Sequence, residues 1–124
     1  EHAQVESFTK DRLVIITVFH NTALCYQMLG QIEDAALYLE TAILNLEILS
    51  MQKCFQTPAQ KQKLLDLEIM MRIQLCAMLS LMDQRKEAYY HCQVAVKISH
   101  YLLDDLIDYN ECLAYRDSFS ERDE

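Results

Sequence analysis

The fold is decided by residues 16–47, which read ITVFHNTALCYQMLGQIEDAALYLETAILNLE. Aromatic and small residues recur every three or four positions in the first half and so share one helical face: Phe19, Ala23 and Tyr26. The only glycine of the chain, Gly30, comes next. The second half carries a matching stripe of Ala35, Leu39 and Ala42. This order predicts two antiparallel helices that touch through small side chains and are joined by a glycine turn.

The same order of residues returns 53 positions later in the chain. Small side chains are kept at the close-contact positions, where Ala35, Leu39, Ala42 and Ala23 correspond to Ala88, Cys92, Ala95 and Cys76. Two positions depart from the first copy: Arg72 stands where Phe19 would be expected, and Asp83 replaces the turn glycine. Aspartate tolerates the left-handed backbone of such a turn better than most residues do. A second helical hairpin is therefore predicted.

Composition sets the fold class. The chain has 124 residues, one glycine and one proline, and 52% of its residues are hydrophobic, which favours a single all-α domain of long helices. The periodicity predicts four helices, at about 5–29, 32–53, 58–82 and from 84 to about 117. Thr57, Pro58 and Gln60 form a capping box with proline in the first turn, which marks the start of the third helix. The first and third helices are apolar on several faces, so both are expected to be covered on two sides.

The predicted helices divide the chain into a large helical domain and a short tail. Residues 1–118 are predicted to form the helical domain, with hairpins at 5–54 and 58–117, and residues 119–124 an acidic tail. From Asp104 to Glu124 the chain has eight acidic residues against two arginines, out of a formal net charge of −8. Nucleic-acid binding is not expected from this balance. The acidic end is either a solvated helix end and tail or a contact for a basic partner.

The pattern over residues 16–47 resembles one tetratricopeptide repeat, a helix-turn-helix unit of 34 residues; residues 69–99 resemble it less closely. The resemblance implies stacked antiparallel hairpins, here a fragment of a right-handed α-solenoid with outsized helices. In this family the ligand usually lies along the concave face made by the first helix of each hairpin. The corresponding positions in this chain are Thr17, His20, Asn21, Leu24, Met28, Met70, Ile73, Gln74, Ala77 and Leu81. These residues are uncharged or apolar, and only Asn21 fits the lysine, arginine and asparagine set that holds chaperone carboxylates. An apolar peptide or helix of a partner protein is therefore the expected ligand.

The sequence carries no pattern that indicates catalysis, a cofactor or a metal. Its five cysteines include no Cys-x-x-Cys pair, and its four histidines are scattered, which argues against a zinc site. Cys76 and Cys92 are expected to pack in the core as small apolar groups. The odd number of cysteines favours a reducing, intracellular location, with the cytoplasm as the expected compartment. No apolar run reaches the length of about 20 residues needed to span a bilayer.

These observations favour a non-catalytic adaptor or scaffold module that binds another protein. The alternative is an architectural segment of a longer helical array, or a self-associating subunit whose exposed apolar end is covered by its own neighbour. An enzyme is a distant third.

Overall fold

A computed structural model describes the backbone of residues 2–52 and 57–122 and the side chains of residues 8–52 and 57–104. This part of the chain is all-helical and comprises α1 (His2–Met28), α2 (Ile32–Ser50), α3 (Pro58–Leu81) and α4 (Arg85–Arg122). The predicted all-α class is confirmed for the described residues. None of these helices combines the length and the apolar content that crossing a membrane requires.

The helix boundaries differ from the predicted ones mainly at three ends. Helix α1 begins before Val5, and α4 continues past Asp117 into the segment predicted as a tail. Helix α2 ends at Ser50 because the Gln52 N–H bonds to the Leu49 carbonyl, at 3.0 Å, and this three-residue step tightens the last turn. The predicted loop at 54–56 lies outside the described residues.

Both hairpins turn through the same hydrogen-bonded motif. Gly30 (φ 78°) and Asp83 (φ 60°) have left-handed backbones, as their positions predict. After α1, the Gln31 N–H bonds to the Tyr26 carbonyl (2.9 Å) and the Gly30 N–H to the Gln27 carbonyl (3.0 Å). After α3, the corresponding bonds run from Gln84 to Leu79 (2.9 Å) and from Asp83 to Ser80 (3.1 Å). These two pairs of bonds define a Schellman motif, and they recur at the 53-residue spacing.

The start of α3 is also formed as predicted. The Thr57 hydroxyl accepts a hydrogen bond from the Gln60 N–H at 3.2 Å, and the Gln60 side chain accepts one from the Thr57 N–H at 3.0 Å. Pro58 occupies the first turn, where its missing N–H has no helical partner to lose. The reciprocal cap fixes where the second hairpin begins.

The helices pack in chain order, with α1 on α2, α2 on α3 and α3 on α4. The predicted inward stripe of α2 is fully buried and consists of Ala35, Leu39, Ala42, Leu46 and Leu49. Ala23 of α1 and Ala88 and Ala95 of α4 are buried as well, as predicted for these three small residues. The core therefore runs through the middle of the stack, along α2 and α3.

The expectation that α1 and α3 are both covered on two sides holds for α3 alone. Helix α3 lies between α2 and α4, and its Met71 and Leu75 are fully buried. Helix α1 packs mainly on α2, and its Val14 and Val18 remain about half exposed, at 55% and 54%. The apolar side of α1 thus forms an open end of the stack.

The expected core position of Cys92 is wrong. Its thiol is exposed, although the corresponding Leu39 of the first hairpin is fully buried. Helix α2 is covered by α1 and α3, whereas α4 is covered mainly by α3, so the same position loses half of its shielding. Cys76 is partly buried against the core, as a packing role requires.

Candidate binding surface

The ten predicted ligand residues lie on α1 and α3, at positions related by the 53-residue spacing. Seven of them are exposed: Thr17, Asn21, Met28, Met70, Ile73, Ala77 and Leu81. The other three, His20, Leu24 and Gln74, are partly buried. Large apolar side chains, among them Ile73 at 56% exposure and Leu81 at 74%, are therefore open to solvent on both helices. We call these ten residues the α1–α3 surface.

A hydrogen bond ties the two helices together within this surface. The His20 ring Nε2 and the Gln74 side-chain oxygen Oε1 are 2.9 Å apart, so the ring N–H donates to the amide oxygen. The bond joins the first helix of one hairpin to the first helix of the other. It brings His20 and Gln74 together and aligns the exposed side chains on either side of them.

The α1–α3 surface offers apolar area and neutral hydrogen-bonding groups. None of its ten residues is Asp, Glu, Lys or Arg, and its one histidine, His20, is bonded to Gln74. The Thr17 hydroxyl is used within α1, where it donates to the Leu13 carbonyl at 2.8 Å. Asn21 is the exposed polar group at the centre of the α1 half. Such a surface can bind a peptide or helix by burying apolar area and by making a few hydrogen bonds.

A buried polar network joins α2, α3 and α4. Arg72 is only 3% exposed and makes charge-assisted hydrogen bonds to Glu68 of α3 (2.8 Å) and Glu47 of α2. Its Nη1 also donates to the His91 Nδ1 of α4 at 2.9 Å. The guanidinium lies 5.8 Å from the centre of the Tyr90 ring. One side chain thus connects the first hairpin to both helices of the second.

This network replaces an aromatic stack found in the first hairpin. There, Tyr38 stacks on Phe19, with ring centres 5.8 Å apart, and on Tyr26, at 5.3 Å. The 53-residue spacing relates Phe19 to Arg72 and Tyr38 to His91. The two hairpins therefore share a backbone arrangement, but the contact at these positions is aromatic in the first hairpin and polar in the second.

One indication of this network is present in the sequence. Glu68 and Arg72 are four residues apart on one helix, a spacing at which opposite charges pair. Arg72 departs from the aromatic pattern of the first hairpin, but two of its partners, Glu47 and His91, come from other helices. Their proximity depends on how the hairpins stack, and no local pattern contains that information.

Burial lowers the pKa of His91, and the neighbouring Arg72 charge lowers it further, against smaller opposing effects of Glu87 and Glu47. We expect the free energy of unfolding to fall as the pH drops below about 6.5, the ordinary pKa of histidine. The reason is that the unfolded histidine binds a proton at a pH where the folded one does not. The measurement is urea unfolding at a series of pH values, with His91→Gln as the control that cannot titrate. Identical pH dependence in both proteins would contradict this assignment, since the other histidines are common to them.

Among the described side chains, no group of three or more His, Cys, Asp or Glu residues is placed to hold a metal ion. An open depression at the tip of the second hairpin, lined by residues 83–87, lies apart from the α1–α3 surface. Comparison of the chain with protein-family models, curated proteins and solved structures gives no match. The α1–α3 surface therefore rests on the resemblance stated above, the exposure of its side chains and the His20–Gln74 bond.

Proposed function

We propose that this chain is a tetratricopeptide-like pair of stacked helical hairpins that acts as a non-catalytic adaptor or scaffold. Its ligand is an apolar peptide or helix of another protein, bound along the α1–α3 surface. The single observation that carries the proposal is the set of uncharged, mostly exposed side chains at corresponding positions of α1 and α3, joined by the His20–Gln74 bond. The recurrence of the same turn motif at 30 and 83 supports the repeat architecture. A right-handed solenoid arrangement of the hairpins belongs to the same proposal.

The chemistry of this surface explains the kind of ligand we propose. Exposed apolar side chains release water when a partner covers them, at roughly 25 cal/mol per Å² of apolar area. Met28 and Met70 are flexible and can adapt to different ligand shapes. Asn21 can fix the ligand by hydrogen bonds, since it is exposed and no charge competes on this surface. An intracellular, cytoplasmic location belongs to the same proposal and is supported by the exposed free thiols of Cys25 and Cys92.

We expect partner binding to be lost in Ile73→Glu and Leu24→Glu and retained in Leu44→Glu. Leu44 is the matched control because it is 56% exposed, like Ile73, but lies on α2 outside the α1–α3 surface. Affinity purification with the intact protein, followed by mass spectrometry, supplies the partner, and titration calorimetry then measures the affinity of each variant. Burial of one unpaired carboxylate is expected to weaken binding by about tenfold or more.

The dependence of partner binding on salt concentration distinguishes binding at the α1–α3 surface from binding at the acidic end of the chain. Binding through uncharged groups should change little between low and high ionic strength, whereas binding through residues 104–124 should weaken as salt screens their charge. Truncation after Asp117 provides a second test. Loss of binding on truncation, with Leu24→Glu binding normally, would reject the α1–α3 surface and assign binding to the acidic end.

The alternative function, an architectural segment of a longer array or a self-associating subunit, is favoured by a different observation. Val14 and Val18 leave an apolar side of α1 open at one end of the stack. Flanking repeats in the same polypeptide would cover it in a longer array.

A further inference from the structure

The contact between two helices in the middle of the stack has two sides, and residues that correspond to each side are exposed at the two ends of the stack. In the middle of the stack, α2 packs on α3. The α2 side of this contact includes Ala36 and Ile43, which are buried and share a helical face with Glu47, the partner of Arg72 on α3. On α3, Met71 and Met78 are both fully buried, lie seven residues apart on one side of the helix, and Met71 is next to Arg72, the partner of Glu47.

The 53-residue spacing places counterparts of both sides at the ends of the stack. Ala36 and Ile43 correspond to Tyr89 and Val96 of α4, which are 65% and 47% exposed. We call Tyr89, Val96 and Leu103, which are spaced by seven residues and all exposed, the α4 end face.

The opposite end of the stack shows the same relation. Met71 and Met78 correspond to Val18 and Cys25 of α1, which are both exposed. We call Val14, Val18 and Cys25 the α1 end face; these residues are spaced by four and seven and lie on one side of the helix. Neither end face includes a charged residue.

The side-chain sizes at the two ends differ from those of the internal contact. Tyr89 is larger than its counterpart Ala36, whereas Val96 is smaller than Ile43, and Cys25 and Val18 are smaller than Met78 and Met71. The smaller side chains of the α1 end face therefore leave room for Tyr89 that the methionines of α3 would not leave.

We propose that the α4 end face of one copy of this chain packs on the α1 end face of a second copy, in the manner of the internal α2–α3 contact. The two faces are different surfaces, so the association is head-to-tail and leaves one face of each kind free at the ends of every oligomer. It uses residues outside the α1–α3 surface and is independent of the ligand proposed for that surface. A contact of two helices is small, so the dissociation constant is expected in the range of about 10 to 100 μM.

Sedimentation equilibrium of the intact chain tests this proposal, at protein concentrations from about 5 to about 500 μM. About 0.15 M salt shortens the Debye length to roughly 8 Å and so limits repulsion between the acidic chains. The average mass should rise beyond that of a dimer as the concentration increases. A monomer over the whole range would overturn the proposal.

Two single variants establish the head-to-tail geometry. Val18→Glu blocks the α1 end face, and Val96→Glu blocks the α4 end face, so each protein alone should associate about tenfold or more weakly than the unmodified chain and should be monomeric at the lower concentrations. An equimolar mixture should form a 1:1 dimer that grows no further, because each variant still has one intact face that fits the other. Both residues are about half exposed, so the substitutions should leave folding intact, which far-UV circular dichroism checks.

Other outcomes contradict the proposal in specific ways. Leu44→Glu, on an exposed position of α2 away from both end faces, should associate like the unmodified chain, and loss of association in this variant would indicate a different surface. Association that Val18→Glu leaves unchanged would show that the α1 end face takes no part in it. A mixture that stays monomeric would show that the two intact faces do not pair, and would overturn the head-to-tail contact. Loss of ligand binding in Ile73→Glu with normal self-association would separate the two functions.

Discussion

Replacement of Arg72 by methionine is expected to lower the free energy of unfolding by about 3 to 5 kcal/mol, because it leaves a buried carboxylate without its partner. Glu68 keeps only 10% of its side-chain surface in solvent and bonds to the Arg72 Nε. His91 loses its hydrogen-bond donor as well. The loss of the Glu47 contact should matter less, since that side chain is 44% exposed and can be hydrated. Urea unfolding followed by circular dichroism measures the change.

A double variant tests whether apolar packing can replace the Arg72–Glu68 ion pair. Arg72→Phe with Glu68→Ile introduces the residues that stand at the corresponding positions of the first hairpin, Phe19 and Ile15. Because both charges are removed together, this protein should recover most of the stability lost in Arg72→Met. If Arg72→Met is destabilised by less than about 1 kcal/mol, the network does not join the hairpins as described.

The second large effect is expected from Ala42→Leu and Ala95→Leu, each of which should cost about 1 to 3 kcal/mol through overpacking. Ala42 is completely buried and Ala95 is 3% exposed, and both lie where two helices of one hairpin meet. The larger loss is expected for Ala42, because α2 is held between α1 and α3 while α4 can move outward at the end of the stack. Thermal unfolding measures both midpoints.

Ala77→Leu is the matched control for this pair. Ala77 is an exposed alanine of α3, so a leucine there meets solvent and should leave the midpoint nearly unchanged. If the midpoints of the Ala42 and Ala95 variants were also unchanged, the small-residue contacts would be placed wrongly. A large change in the Ala77 variant alone would indicate that the α1–α3 surface is more tightly packed than the structure shows.

The parts of the fold that could be predicted from the sequence are those that depend on nearby residues. Gly30, Asp83 and the Thr57–Gln60 cap mark helix ends by their own backbone chemistry, and the structure forms all three as expected. The buried stripe of α2 follows from its 3.6-residue period. These features need no knowledge of how one hairpin sits on the other.

The features that could not be predicted depend on stacking. Cys92 is exposed and Val18 is uncovered because each belongs to a helix at an end of the stack, although their local patterns match those of buried helices. The partners of Arg72 are separated from it along the chain and meet it only after the hairpins pack. The α1–α3 surface was predicted from the family resemblance, and the structure adds the His20–Gln74 bond within it.

The packing of each helix mainly on its neighbour in the chain also bears on how the protein folds. Most contacts between helices form within a hairpin, between segments that one short turn already holds together, so little loop entropy is lost before favourable contacts appear. Helical proteins with such short-range contacts fold in roughly microseconds to milliseconds. Each hairpin can form first and the other can then dock on it, as in repeat proteins, where stability is a sum of unit and interface terms. The α2–α3 contact is therefore the step that makes the two hairpins one cooperative unit.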